Sequence, residues 1–562
     1  MTFSARYLKK GTSPLAVCWL VSAVCFGMFY ELLSASFSAV IAGILVYKII
    51  KNGARLRLGL MPAAVLAVFL GYIFTCFWAV DAGAALIGII KFLPLPLFML
   101  AAEQEERDTL ADILNLIPPL AVFMTVVSAV LMHIPVLSGY FSVAGRLSGF
   151  FQYPNTYALF ALIGVILLLS DGKFDIARFI MLLLLAGGIV YSGSRTVAVM
   201  TVFFVAVMLI RSGSRRLKII IPLSIGAILA AAAVYALISG NFGSVGRFLK
   251  LSLSESTFIG RIIYFKDGLR LIAKNPFGLG YLGFYYTEQF NQTAVYSVRY
   301  IHNELLQLLL DIGWLPAAFF TAALITSLFS RKISFERKII ILAVCAHAMM
   351  DFDLQFVSIF ILLCMAADSG GGKIYELSSR VFSVPFALLI PLCSYFGAVF
   401  LLYGIHNYTA ANRLFPLYTE AKIALLTSAE ETGELDTIAD GILSRNKYVS
   451  VAYSAKAKAA YSKGDFKNVI EYKEQAIKYA PYQISEYNEY CYMLIVGIQL
   501  YNKNGDSYSA EYCKNRLLNI LQLLEAVKEK TDPLAYKIKD KPELELSKDI
   551  TDLIAGIGGA EK

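Results

Sequence analysis

The chain has 562 residues, 58% of them hydrophobic and 16% charged, and its mean hydropathy is +0.63. That composition excludes a soluble globular protein of ordinary make-up and places the chain among integral membrane proteins. A formal net charge of +9 does not argue for nucleic acid, because the Lys and Arg residues lie mostly in short loops between apolar segments, where they set orientation.

Arg6, Lys9 and Lys10 precede the apolar run 15–29; more spans follow and no small-residue cleavage site does, so this opening reads as a signal anchor. Apolar runs of spanning length, or nearly so, occur at 15–29, 32–47, 61–80, 84–100, 113–132, 157–169, 179–191, 197–210, 219–238, 305–329, 339–350, 354–367 and 382–405. The expected fold is therefore an all-α, polytopic transmembrane helical bundle of about thirteen spans, residues 1–405. Several runs fall short of the ~20 residues a straight span needs, so flanking polar residues must complete them.

With a cytoplasmic N-terminus, alternate loops should be basic. Lys48, Lys51, Arg55 and Arg57 satisfy this, as do Lys173 and Arg178, Arg211 to Lys218, Arg331 to Lys338, and Lys373 and Arg380. The loop with Glu103, Glu105 and Glu106 is the exception, and acidic residues weigh little in this rule. The opposite, outer loops are a tight one near Asp81, one from His133 to Tyr153, the turn Ser192 to Arg195, and a long one over 239–301. Asp351 and Asp353 fall in a further outer turn, and an odd number of spans places 410–562 outside the cytoplasm.

That tail becomes charged, Tyr- and Ala-rich and amphipathic, which predicts a separate helical domain. Ala457, Ala460 and Tyr461 share one helix face, Gly464-Asp465 marks a turn, Ala476 lies on the next helix and Pro481 ends it. This resembles a tetratricopeptide repeat (TPR), and TGELD aligns Gly433-Glu434 with Gly464-Asp465 as an earlier echo. Six cysteines lie in or beside apolar spans without metal-ligand spacing, and the spacing of Cys491 and Cys513 in the tail does not require a bond.

Four words on the outer side hold the chemistry: GRLSGFFQYPNT with Arg146 and Asn155, SGSRT with Arg195, GRIIYF with Arg261, and IHNELLQLLLDIG with His302 and Asn303. Cations at a bilayer edge are costly, and glycine beside arginine lets the backbone approach a ligand while the planar fork bonds phosphate oxygens. Arginines at membrane borders also snorkel to headgroups, and a helix cap explains His302 or Asn303 as well as a general base does. Both readings stand on the residues alone. The aromatic segment Tyr281 to Tyr286 reads as a platform for sugar rings. His347 and Asp351, four apart, are expected on one helix face, and Asp351-Phe352-Asp353 has DxD spacing, a weak signal for a metal.

The order of these words, with the long loop between the last two elements, resembles the O-antigen ligase and Wzy-type polymerase superfamily over about 15–405. The resemblance implies a GT-C-like fold and glycan transfer from an undecaprenyl-diphosphate-linked donor to an acceptor hydroxyl at the outer face, without cofactor or metal. It implies that Arg195 and Arg261, with Arg146, hold the diphosphate and that His302 activates the acceptor; Asn155, Asn303 and Asp351 complete the expected substrate contacts. The acceptor is a glycan, a lipid or a protein; membrane lipids, and assembly proteins docking on the tail, are the other expected partners. A protein O-oligosaccharyltransferase and a polysaccharide flippase are the rival functions. A flippase would show inverted halves with helices broken near mid-membrane, whereas here the polar words collect at one face.

Overall fold

A computed structural model describes residues 13–105, 108–170, 175–212, 256–377, 380–429 and 431–559, with isolated residues between 215 and 234. Arg6, Lys9, Lys10, Glu106 and Lys173, most of the run 219–238 and the loop up to 255 lie outside the described residues.

Inside a bilayer the backbone must satisfy its own hydrogen bonds, so apolar runs become helices. They are α1 (Pro14–Val24), α2 (Glu31–Asn52), α3 (Leu60–Thr75), α4 (Ala82–Phe92), α5 (Pro94–Glu103), α6 (Thr109–Leu131) and the short α7 (Pro135–Phe141). After these come α8 (Pro154–Ser170), α9 (Ile176–Ser192), α10 (Arg195–Arg211), α11 (Ser256–Lys274), α12 (Gly283–Asn291) and α13 (Glu304–Ile312). The bundle closes with α14 (Trp314–Phe329), α15 (Phe335–Ala348), α16 (Val357–Ala367) and α17 (Val384–Gly404). Among the described residues four segments are long and apolar enough to cross a membrane alone: Glu31–Asn52, Ala82–Glu103, Thr109–Leu131 and Arg380–Gly404. Six shorter apolar helices accompany them, and α16 is buried along its whole length.

The run 305–329 is not one helix. Gly313 breaks it with φ of 80°, and a Cβ there would stand 2.5 Å from the Phe277 carbonyl carbon, so the chain turns between α13 and α14. Two short ribbons also interrupt the helical pattern: β1 (Ala54–Leu58) pairs antiparallel with β4 (Lys373–Leu377), and β2 (Ser142–Val143) with β3 (Arg146–Leu147). The β2–β3 turn places Ala144 and Gly145 at φ of 51° and 73°, the two-residue form that matches strand twist.

One end of the bundle gathers the basic loops. Lys48 Nζ lies 2.9 Å from Glu105, Arg57 is held between Glu103 and Asp368, and Arg337 Nε donates to the Ala366 carbonyl. The acidic loop that interrupted the alternation is thus the counter-charge of its neighbours.

The opposite end carries the tail. After α18 (Tyr408–Leu414) come three successive helix pairs: α19 (Thr419–Ser428) with α20 (Thr432–Leu443), α21 (Ser450–Ser462) with α22 (Phe466–Tyr479), and α23 (Ile484–Lys503) with α24 (Ser507–Lys530). The Gly464-Asp465 turn recurs as Gly505-Asp506; both glycines have positive φ, and each Asp accepts from the backbone N–H three residues on. In the first pair Gly433 and Glu434 already lie inside α20, so its turn comes earlier than the TGELD alignment expected. A last helix, α25 (Lys548–Gly559), follows, and all eight cysteines are free.

The tail is fastened to the bundle. Asp81 caps α4 and also accepts from Thr419 Oγ1 at 2.6 Å and Asn446 Nδ2 at 3.1 Å. A Cβ on Gly83 would stand 1.8 Å from the Leu417 carbonyl oxygen, and Arg299 Nη1 donates to Glu420 at 2.8 Å. The hydrophobic core runs unbroken from Leu15 through Phe400 into Ala411, Tyr418 and Ala455 of the tail.

Candidate functional site

At the tail-bearing end, residues from three other stretches of chain converge on one carboxylate. Asp351 is buried in the turn after α15; its Oδ1 accepts from Tyr153 Oη at 2.7 Å and its Oδ2 from Asn155 Nδ2 at 2.7 Å. His302 Nδ1 lies 3.2 Å from Oδ1, and Arg261 Nη2, on α11, lies 3.5 Å from Oδ2. Burial alone would raise this carboxyl, but the His302 hydrogen bond and the charges of His302, Arg261 and His347 hold it below the usual carboxylate range.

A second tier extends the network. Asn155, in the first turn of α8, accepts from Arg146 Nη2 at 2.7 Å, and Arg146 Nε donates to the Ser192 carbonyl at 2.7 Å. The β2–β3 turn sets Arg146 at the start of the return strand. Arg195 opens α10 just beyond Ser192, after Gly193 at φ of 61° and the N-cap residue Ser194. The structure therefore joins Arg146, Asn155, Arg261, His302 and Asp351 in one hydrogen-bonded chain, with Arg195 at the adjoining corner.

His302 does not cap α13. Asn303 does: its Oδ1 accepts from Leu306 N at 3.0 Å, and its Nδ2 donates to the Met349 carbonyl at 3.0 Å. Both ends of Asn303 are thus spent on the fold. His302 precedes the cap at φ of 56°, an uncommon conformation for a residue with a side chain, and its ring packs on Phe352 with centroids 5.0 Å apart. In the neutral imidazole, an aspartate that only accepts obliges Nδ1 to carry the proton, which leaves the lone pair on Nε2. The imidazole keeps 20% of its side-chain surface exposed.

Two expectations are corrected, and the DxD spacing resolves into structural hydrogen bonds. His347 and Asp351 do not share a helix face, because α15 ends at Ala348; His347 Nδ1 instead meets Asp353 Oδ2 at 2.5 Å. Asp351 and Asp353 point to separate partner sets, Asp353 also accepting from Thr156 Oγ1 at 2.7 Å, so they do not form a joint DxD ligand pair. Tyr281, Phe284 and Tyr286 are buried rather than a platform, with Tyr281 Oη bonded to Glu31 at 2.8 Å and to Tyr300 Oη at 3.0 Å. Tyr153 was not singled out, although it immediately precedes Pro154-Asn155 in the GRLSGFFQYPNT word.

A helical membrane protein with arginines in glycine turns around a histidine–aspartate pair is the class that the fold and site define. Residues 180–321 match the family model described as O-antigen ligase. That match supports the resemblance of this part of the chain to the O-antigen ligase and Wzy polymerase superfamily. The match spans roughly a quarter of the chain, from within α9 into α14, and contains Arg195, Arg261 and His302, whereas Arg146, Asn155 and Asp351 lie outside it. No curated protein matches the chain. The matched domain, set among apolar helices, supports a membrane-bound role in glycan ligation or polymerisation, with glycan and lipid-linked substrates.

Proposed function

We propose that the protein transfers a glycan from an undecaprenyl-diphosphate-linked donor to an acceptor hydroxyl at the outer face of the bacterial cytoplasmic membrane, with His302 as general base. The observation that carries this reading is the His302–Asp351 contact, with Arg261 on the second oxygen of the same carboxylate. Nε2 takes the proton of the acceptor hydroxyl as its oxygen forms the new bond to the anomeric carbon. The bond from that carbon to the diphosphate breaks, and its electron pair leaves on the diphosphate oxygen. Arg261, with Arg195 and Arg146, receives the growing negative charge; fixed cations aimed at developing charge are commonly the largest catalytic contribution. Asp351 holds the imidazole in its Nδ1–H form and stabilises the imidazolium. In this reading the arginines take the place of a divalent metal at the diphosphate, and Asp351 is already committed to protein donors.

The basic loops paired at one end and the site at the other support a cytoplasmic N-terminus and an extracytoplasmic tail. The three helix pairs of the tail read as TPR-like. The collection of polar groups at one end, rather than mid-membrane, disfavours a flippase.

Donor binding and transfer measured on the same folded variants test the assignment. His302→Ala should bind donor and lose transfer by ~10²–10⁴-fold. Arg261→Ala should weaken both, since charge-assisted bonds to phosphate act before and during transfer. Near-normal transfer by His302→Ala would remove the base.

A further inference from the structure

The tail does more than sit on the bundle: its last stretch crosses back to the helix that carries Arg261. Asp532 donates its N–H to the Thr293 carbonyl at 2.9 Å and accepts from Lys266 Nζ of α11 at 2.9 Å. Lys539 N–H donates to Ser256 Oγ, the first residue of α11, at 2.6 Å. Between these ties, buried Ala535 and Ile538 pack with Ile259, Ile263, Ala294 and Tyr296 in one small core. Ile259 and Ile263 flank Arg261 by two residues on either side.

The two halves of α11 therefore have different supports. Leu271 and Ile272 pack with Leu306 and Leu310 of α13, the helix that follows His302. The half bearing Arg261 is covered by 532–539 instead. The same core includes Tyr296, whose Oη donates to Asp267 of α11 at 2.8 Å, at the start of the stretch that leads to His302.

We infer that residues 532–539 are a positioning strap for Arg261, so that the tail completes the phosphate-binding side of the site; the inference rests on the proposed role of Arg261. An apolar clamp on both flanks of one arginine fixes the height and rotation of its helix turn, and a misplacement of about 1 Å at a reacting group costs up to ~10²-fold.

The probe is undecaprenyl diphosphate without sugar, its binding measured on the full chain in lipid nanodiscs. Ile538→Lys, which puts a charge into the small core, should weaken binding about tenfold or more, approaching the loss in Arg261→Ala. Ile538→Val should bind as the unaltered protein does. The deciding measurement is the double variant: in an Arg261→Ala background, Ile538→Lys should add little, because the arginine it positions is gone. A full further loss there means general damage to the fold and overturns the strap. Normal binding by Ile538→Lys beside weakened Arg261→Ala also overturns the strap and leaves the site reading intact. Normal binding by Arg261→Ala overturns that reading, and the strap with it.

Discussion

Two histidine–aspartate pairs lie within a few residues of each other, and they lead different lives. His347 and Asp353 are 2.5 Å apart with side chains 1% and 0% exposed, and Thr156 takes the other carboxylate oxygen. His302 and Asp351 are 3.2 Å apart, and that imidazole keeps an open edge beside Arg261. The contact alone does not make a site. What separates a buried strut from a proposed base is the partial exposure of the imidazole, 20% against 1%, and cations nearby to receive the charge that proton transfer develops.

The comparison breaks most sharply at the carboxylates. Asp351→Asn should lower transfer by ~10²-fold at equal folded fraction, beyond the stability it loses as a buried carboxylate with four partners, since the imidazole is then held less well in the required form. Asp353→Asn should instead cost ~1–3 kcal/mol of stability by disturbing a buried polar pair, and transfer should fall only as the folded fraction falls. If the two variants lose transfer alike at equal folded fraction, the distinction between the pairs is wrong.

A smaller effect tests the outer layer against the bundle. Glu288 on α12 is buried, and burial pushes its carboxyl up to about 8 from 4.5, although it accepts from Val298 N–H at 2.9 Å. Between these values the folded chain holds a proton that the unfolded chain has released, so stability should fall as pH rises from about 4.5 through about 8. Thermal melting across that window should show the slope, and Glu288→Gln should flatten it. A slope unchanged by Glu288→Gln would assign the effect to another group.

The sequence made the helices legible because lipid permits little else, and made Arg146, Arg195, Arg261 and His302 legible because each interrupts apolar chain in a polar or glycine-bearing word. It hid what depends on distant pairing. Arg55-Leu56-Arg57-Leu58 alternates with period two, yet its partner strand lies at 373–377. Lys266 and Asp532, 266 residues apart, meet through no local pattern. Nor does Ile312-Gly313-Trp314 announce a break, since the φ of 80° and the nearness of Phe277 that bar a side chain there are set by the fold. Tyr153 escaped because a tyrosine at a membrane border ordinarily serves as an interfacial anchor.

The φ of 56° at His302 has its own consequence. A left-handed backbone disfavours any side chain by about 1 kcal/mol and is neutral to glycine. The backbone alone would therefore rest more easily with no side chain there, and two variants that both lack the ring should differ in a telling direction. His302→Gly should melt higher than His302→Ala, by an amount corresponding to about 1 kcal/mol, while both lose transfer to a similar extent. If His302 is the proposed base, foldedness and reactivity pull against each other at this one residue.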